Sequence, residues 1–267
     1  MSPRGLLTWR GTSYRSRMGT TPGPHTPSWR KYLFETLAIM IGVFGAFALN
    51  NWNENRRLEQ LEQEVLEQLS ADLQRSVESV ADCSESHKRI IRDAGSVLEH
   101  MAGTAPYDDS LSYLLASSFF YTDLDTDLGA YKTMQSHGVD IVTNDELRNL
   151  IIQHFEQRLT VMQRREDILY DFADKVKLQE GQKYFDYTFE LEGFERDGKT
   201  ATSWNNVRLR SVPRDYEDLR TSDEWRYHLR TYMETVKWYE VSMQVYRTQT
   251  LQLIATIEAE LATRFGA

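Results

Sequence analysis

One cysteine, Cys83, stands in 267 residues, which excludes any intramolecular disulfide. Packing alone must hold the fold, and the 218 residues after Leu49 are enough to bury a core. Cys83 falls inside a helical pattern, where a half-buried small residue is expected. Common catalytic motifs are missing as well. The chain has no Gly-x-Ser-x-Gly, no P-loop and no Gly-x-Gly-x-x-Gly. Its six histidines, His25, His87, His100, His137, His154 and His228, form no HExxH motif and no i, i+4 pair with one another. Acids are absent from residues 1–31, and basic stripes are absent after them. Beyond that tail and Glu35, 25 Lys and Arg face 39 Asp and Glu, a net charge of −14. That balance argues against nucleic acid as a partner.

Only one stretch is apolar enough to cross a bilayer. Leu37 to Leu49 has no polar side chain, and only Glu35 and Thr36 interrupt the run back to Tyr32. A span needs roughly 20 apolar residues, with about 17 as the lower limit, so the segment is short but sufficient. Trp29 and Trp52 bracket it; the 23 residues of helix between them cover roughly 34 Å at about 1.5 Å each. Indole rings at that separation form an aromatic belt. Glu35 lies about one turn inside the edge, where its carboxylate can reach the interface; an intramembrane role is the alternative. Arg4, Arg10, Arg15, Arg17, Arg30 and Lys31 hold the N-terminus in the cytoplasm by the positive-inside rule. Residues 52–267 are then extracytoplasmic. A secretory signal cleaved after Ala48 is the competing reading, and Met18 an alternative start. Four of the six prolines lie in the tail, which is expected to be disordered.

The remainder reads as helix. Leu58, Leu61, Val65, Leu69, Leu73, Val77, Val80, Cys83, His87, Ile91, Ala94, Leu98 and Met101 recur at three- and four-residue steps. Leu58, Leu69, Val80 and Ile91 are spaced by 11, so this stripe runs nearly straight over about 50 residues, ~75 Å of helix. Charges such as Glu62, Glu64, Glu67 and Arg75 are assigned to its other face. Thr143-Asn-Asp-Glu146 reads as a capping box opening a second helix to about Gln179. Its apolar face is Leu147, Leu150, Ile151, Phe155, Leu159, Met162, Leu169, Phe172 and Val176. Thr221-Ser-Asp-Glu224 opens a third, ending near Phe265, with a heptad stripe from Trp225 to Leu261. Shorter helices are expected at Ser110–Tyr121 and Asp127–His137, and an irregular insert at about 180–222. Within it Tyr184–Leu191 alternates like a hairpin strand, with aromatic helix equally open. The expected fold is all-α: one transmembrane helix (residues 32–51) continuing into an elongated antiparallel helical bundle.

The membrane-exit sequence from Phe34 to Glu54 resembles a bacterial single-pass family of unknown function, whose anchor begins with an acid and ends in Leu-x-x-Asn-Asn-Trp-Asn-Glu. Glu35, Gly42, Asn50, Asn51, Trp52, Asn53 and Glu54 carry the likeness. Ala130–Arg148 is similar to that family's Tyr-x-x-Leu-x-x-x-Gly and Asn-x-x-Leu-Arg, with Met134 departing from the usual Leu. The resemblance implies a retained anchor in the bacterial inner membrane and no particular chemistry.

The candidate functional residues therefore cluster at the membrane. Trp29, Glu35, Asn50, Asn51, Trp52, Asn53 and Glu54 are candidates for contact with lipid headgroups or a partner. Ala38, Gly42 and Ala46, four apart, form a small-x-x-x-small face that permits helix self-association. Asp123-Leu-Asp-Thr-Asp127 resembles the opening of an EF-hand, but Leu128 replaces the required Gly and Met134 the closing Glu, so capping and turn roles are expected. Aromatics on the last helix could line a pocket, though half of them lie on its core stripe. The function expected is a membrane-anchored interaction or scaffold module, without cofactor, metal or enzymatic activity. Its expected partners are the lipid bilayer and a homo-oligomer or another membrane protein. A small-ligand sensor signalling through a partner is the alternative.

Overall fold

The computed structural model describes residues 29–186, 190–192 and 208–266. The tail with its four prolines, most of its arginines and Met18, and much of the expected insert, lie outside the described residues. Two compact units are distinguished, residues 1–55 and 56–267. Among the described residues the chain is all-α, apart from one pair of three-residue strands.

In the first unit every described residue belongs to the start of helix α1 (Trp29–Ala102). All side chains from Tyr32 to Leu49 are exposed. Thr36 satisfies its hydroxyl within the helix by donating to the Tyr32 carbonyl at 2.8 Å.

In the second unit α1 buries Val65, Leu66, Leu69, Leu73, Val80, Cys83, Ile90, Ala94, Val97 and Met101. Most of the sequence-assigned stripe is thus core, while Leu58 at its start is exposed. After Gly103 come α2 (Asp109–Ser117), capped by Asp108, and α3 (Gly129–His137). Gly138 ends α3 with φ +96°, a left-handed conformation that favours glycine. Next, α4 (Asp145–Ile152), α5 (Leu159–Lys175) and α6 (Gly181–Tyr184) follow one another through two π-helical segments, Gln153–Arg158 and Val176–Glu180. The first has a visible cause. Leu147, Ile151, Phe155 and Leu159 are all buried and four apart, which on a 3.6-residue helix drifts by about 40° per step. A π turn is wider and keeps the four on one face.

Strand β1 (Glu190–Glu192) pairs antiparallel with β2 (Arg208–Arg210), Leu191 opposite Leu209. The alternating stretch therefore splits, its start closing α6 and its end forming a strand. Helix α7 (Tyr216–Thr221) then leads into α8 (Asp223–Phe265). All eleven stripe residues of α8, from Trp225 through Tyr239 and Tyr246 to Leu261, are buried. Helix α8 packs against α5 and α4. It meets α1 through polar pairs: Glu62 with Arg264, Gln74 with Glu258, and Ser84 with Glu240.

Three sequence expectations need correction at their polar residues. Glu62 does not belong to the charged outer face; it is only 1% exposed. Its two oxygens accept from Arg264 at 2.7 and 3.0 Å, from the Thr143 backbone N–H at 2.8 Å, and from the Thr143 hydroxyl. With Thr143 committed to Glu62, Asn144 caps α4 instead, accepting from the backbone N–H groups of Glu146 and Leu147. Likewise α8 is capped by Ser222, not Thr221, because Thr221 still belongs to α7.

A buried carboxylate deprived of its cation is costly, about 3–5 kcal/mol where the charge stays buried. Arg264→Ala is therefore expected to destabilise the chain by roughly 3 kcal/mol, measured by urea unfolding of the detergent-solubilised protein. Replacing Glu62 and Arg264 together by leucine should cost much less than Arg264→Ala alone.

Candidate interaction site

The predicted membrane-exit residues lie on one continuous piece of α1. Successive residues of an α-helix are 100° apart, so the five residues Asn50 to Glu54 encircle it in a polar girdle instead of forming a patch. All five are exposed. Trp29 and Trp52, on either side of the apolar run, are 68% and 59% exposed. Glu35 is exposed near its start. Ala38, Gly42 and Ala46 share a face, and a Cβ added at Gly42 would meet nothing within 4 Å. The surface is open to a close neighbour.

The second unit contains polar groups that the sequence reading left out. His154, fully buried in the first π segment, has its Nε2 3.2 Å from the Tyr246 hydroxyl and stacks on that ring at 5.1 Å. Its Nδ1 is buried without a hydrogen-bond partner among the described residues. Burial, then the nearby Arg158 charge, pushes its pKa down to about 4, so it is held neutral. Burial likewise raises the Tyr246 hydroxyl to about 12. His87, also fully buried, places Nδ1 3.3 Å from Glu240, which accepts from Ser84 at 2.5 Å and from Gln244 at 2.8 Å. Ser84 donates to the carboxylate and not to the imidazole, so these residues fix helices α1 and α8 together and do not form a nucleophile–base relay. Cys83 is buried, donates to the Asp123 carbonyl at 3.1 Å, and has its pKa raised chiefly by burial, the condition of an inert thiol.

The EF-hand-like stretch spends its carboxylates separately. Asp123 accepts from the Tyr170 hydroxyl, while Asp127 accepts from Arg75 at 2.9 Å and from the Gly129 N–H at 2.9 Å. A groove of about 480 Å³ lies there, between Arg75, Ser79, the segment from Asp125 to Gly129, and Lys132. One further cluster brings Glu180, Glu224 and His228 together, their ligand-type atoms within 4.8 Å of one another. The Lys183 ammonium sits among them, 3.1 Å from both Glu224 oxygens and donating to Glu180, and so offsets part of the carboxylates' charge. Its only sequence signal was the i, i+4 spacing of Glu224 and His228 on α8.

Compared with known proteins, the chain matches no family model, no curated protein and no solved structure.

The neutral His154 makes stability depend on pH. Its pKa is depressed in the fold relative to about 6.5 unfolded, so its contribution is complete above pH 6.5. That contribution is lost as pH falls towards 4, amounting to roughly 3 kcal/mol. Urea unfolding of wild type and His154→Phe at pH 7.5 and pH 4.5 should show a wild-type-minus-variant difference that shrinks in acid.

Proposed function

We propose that the chain is a single-pass protein of the bacterial inner membrane, N-terminus inside, with an all-helical extracytoplasmic domain acting as an interaction or scaffold module. One observation carries this reading. From Tyr32 to Leu49 a long apolar helix has every side chain exposed, which water does not tolerate and a bilayer does. The Trp29–Trp52 bracket and the polar girdle Asn50–Glu54 support the same placement. So do the acid-free basic tail and the likeness of Glu35, Gly42 and Asn50–Glu54 to the single-pass family described above.

The second unit is best read as an antiparallel bundle. Support comes from the order of polar pairs between α1 and α8, where Glu62, Gln74 and Ser84 meet Arg264, Glu258 and Glu240, ascending on one helix and descending on the other. Its polar interior ties helices together in ways that serve a rigid support. The groove beside Arg75 favours ligand sensing as a second reading, although Arg75 is already paired with Asp72 and Asp127.

A reporter fused after Ala267 should be active only outside the cytoplasm, and the full-length chain should resist alkaline extraction from membranes. Cytoplasmic activity, or a mature product beginning after Ala48, would overturn the anchored reading. In-membrane cross-linking with mass spectrometry should recover protein partners; a ligand-dependent rise in melting temperature without such partners would favour the sensor.

A further inference from the structure

Helix α8 carries two heptad stripes, and only one of them is buried; on the other, the Arg165 guanidinium lies 4.6 Å from the Trp238 ring centroid and the remaining residues face outward. The buried one runs from Trp225 to Leu261. The other runs Trp238, Val241, Val245, Thr248, Gln252 and Ala255 in alternating steps of three and four, and continues in the same rhythm to Ala262. Every residue of this second stripe is exposed, Trp238 at 66% and Val241 at 65%.

Charge sets this face apart. Between Trp238 and Thr263 thirteen residues of α8 are exposed, and Glu258 is the single charged one. Between Glu64 and Glu99 thirteen residues of α1 are exposed, and ten are charged. A solvated helix in so acidic a chain has no reason to strip seven turns of charge. A helix that meets another helix has one, since heptad positions facing a partner exclude charge.

We infer that this stripe is the contact with a second copy of the same chain. The occupant follows from charge. Apart from Arg165 over Trp238 and Glu240 beside Val241, the face gives a charged partner little to pair with, whereas the same face on a second copy matches it without apposing acids. With 25 basic against 39 acidic residues beyond the tail and Glu35, most other approaches would bring like charges together. Small Thr and Ala residues towards the C-terminus allow close approach, and Trp238 and the two valines supply apolar area at the other end. The pairing geometry rests on the anchored reading above. Two copies with one topology in one membrane are related by an axis along its normal, so a self-complementary contact brings the same stripe of both copies together about that axis.

Disulfide trapping of the full chain in native membranes tests this. In a Cys83→Ser background, Val241→Cys, Val245→Cys and Thr248→Cys are each oxidised with copper phenanthroline. A band at twice the monomer mass is expected, at least tenfold stronger than for Glu78→Cys or Arg89→Cys on α1. Adding Val245→Lys to Val241→Cys should reduce it at least tenfold; Thr248→Glu provides a second such variant, and unchanged protease resistance shows each remains folded. Equal yields on both helices, no dimer at any α8 position, or adducts to a different protein would overturn the inference. Fractionation of the same cells separates the two claims. Dimers from a soluble chain would overturn the anchored reading and keep the interface, and anchored chains without dimers would overturn the interface alone.

Discussion

The second unit depends on one buried carboxylate. Glu62 lies a few residues into that unit on α1, and its charge can be held in the interior only if donors surround it. Arg264 supplies two from the last turn of α8, and Thr143 supplies two from the turn before α4. Three segments distant in sequence are thereby fixed against one another by a group that tolerates no slippage. An apolar contact at the same place would accept a shift of half a turn; a forked ion pair with fixed donor directions does not. The neighbouring groups extend the arrangement. Glu260 accepts from Asn144, which in turn caps α4, so the start of one helix and the end of another share a hydrogen-bond network.

The same logic recurs along the interior. At successive levels a polar group of α1 or of the first π segment meets one of α8: Ser84 and His87 with Glu240, His154 with Tyr246. The apolar stripes supply most of the burial, roughly 2 kcal/mol for each fully covered leucine-sized side chain. Such stripes are nearly self-similar under a heptad shift. The polar pairs break that degeneracy and select one register.

How much of this was legible in the sequence follows from the kind of signal each feature leaves. Most of the α8 core was legible because ten apolar or aromatic residues and Thr250 keep near-heptad spacing, and all eleven are buried; Ser242 and Ile254, buried as well, lie off that stripe. The ends of α3 and α8 were legible from Gly138 and the residues before Trp225, although the cap moved from Thr221 to Ser222. Glu62 was not legible. It sits among Glu59, Glu64 and Glu67, and nothing local separates a carboxylate bound for the interior from its solvated neighbours. Its fate is set by Arg264, 202 residues away. The capping error at Thr143 has the same origin, since its backbone N–H and hydroxyl both donate to the buried Glu62 and Asn144 is left as the acceptor at the helix start. The π segment around His154 escaped for another reason: an apolar face at uniform steps of four was read as ordinary helix, when it required a wider turn.

The uncharged outer stripe of α8 differs from the inner one in composition, and that difference fits its place in the proposed anchored protein. The inner stripe is built from Trp, Leu, Tyr, Val, Met and Ile with the single Thr250, whereas the outer one turns wholly to Thr, Gln and Ala after Val245. Such a face buries little apolar area, and in free solution its association would not repay the lost translational freedom. Confinement to a membrane changes that balance, because copies held at one depth and in one orientation meet at a far higher effective concentration. A modest stripe then suffices, and a stronger one would risk pairing before each chain has folded around its own core. Helix α8 thus carries a strong inward heptad around Tyr232, Tyr239 and Tyr246 and a weak, charge-poor outward one.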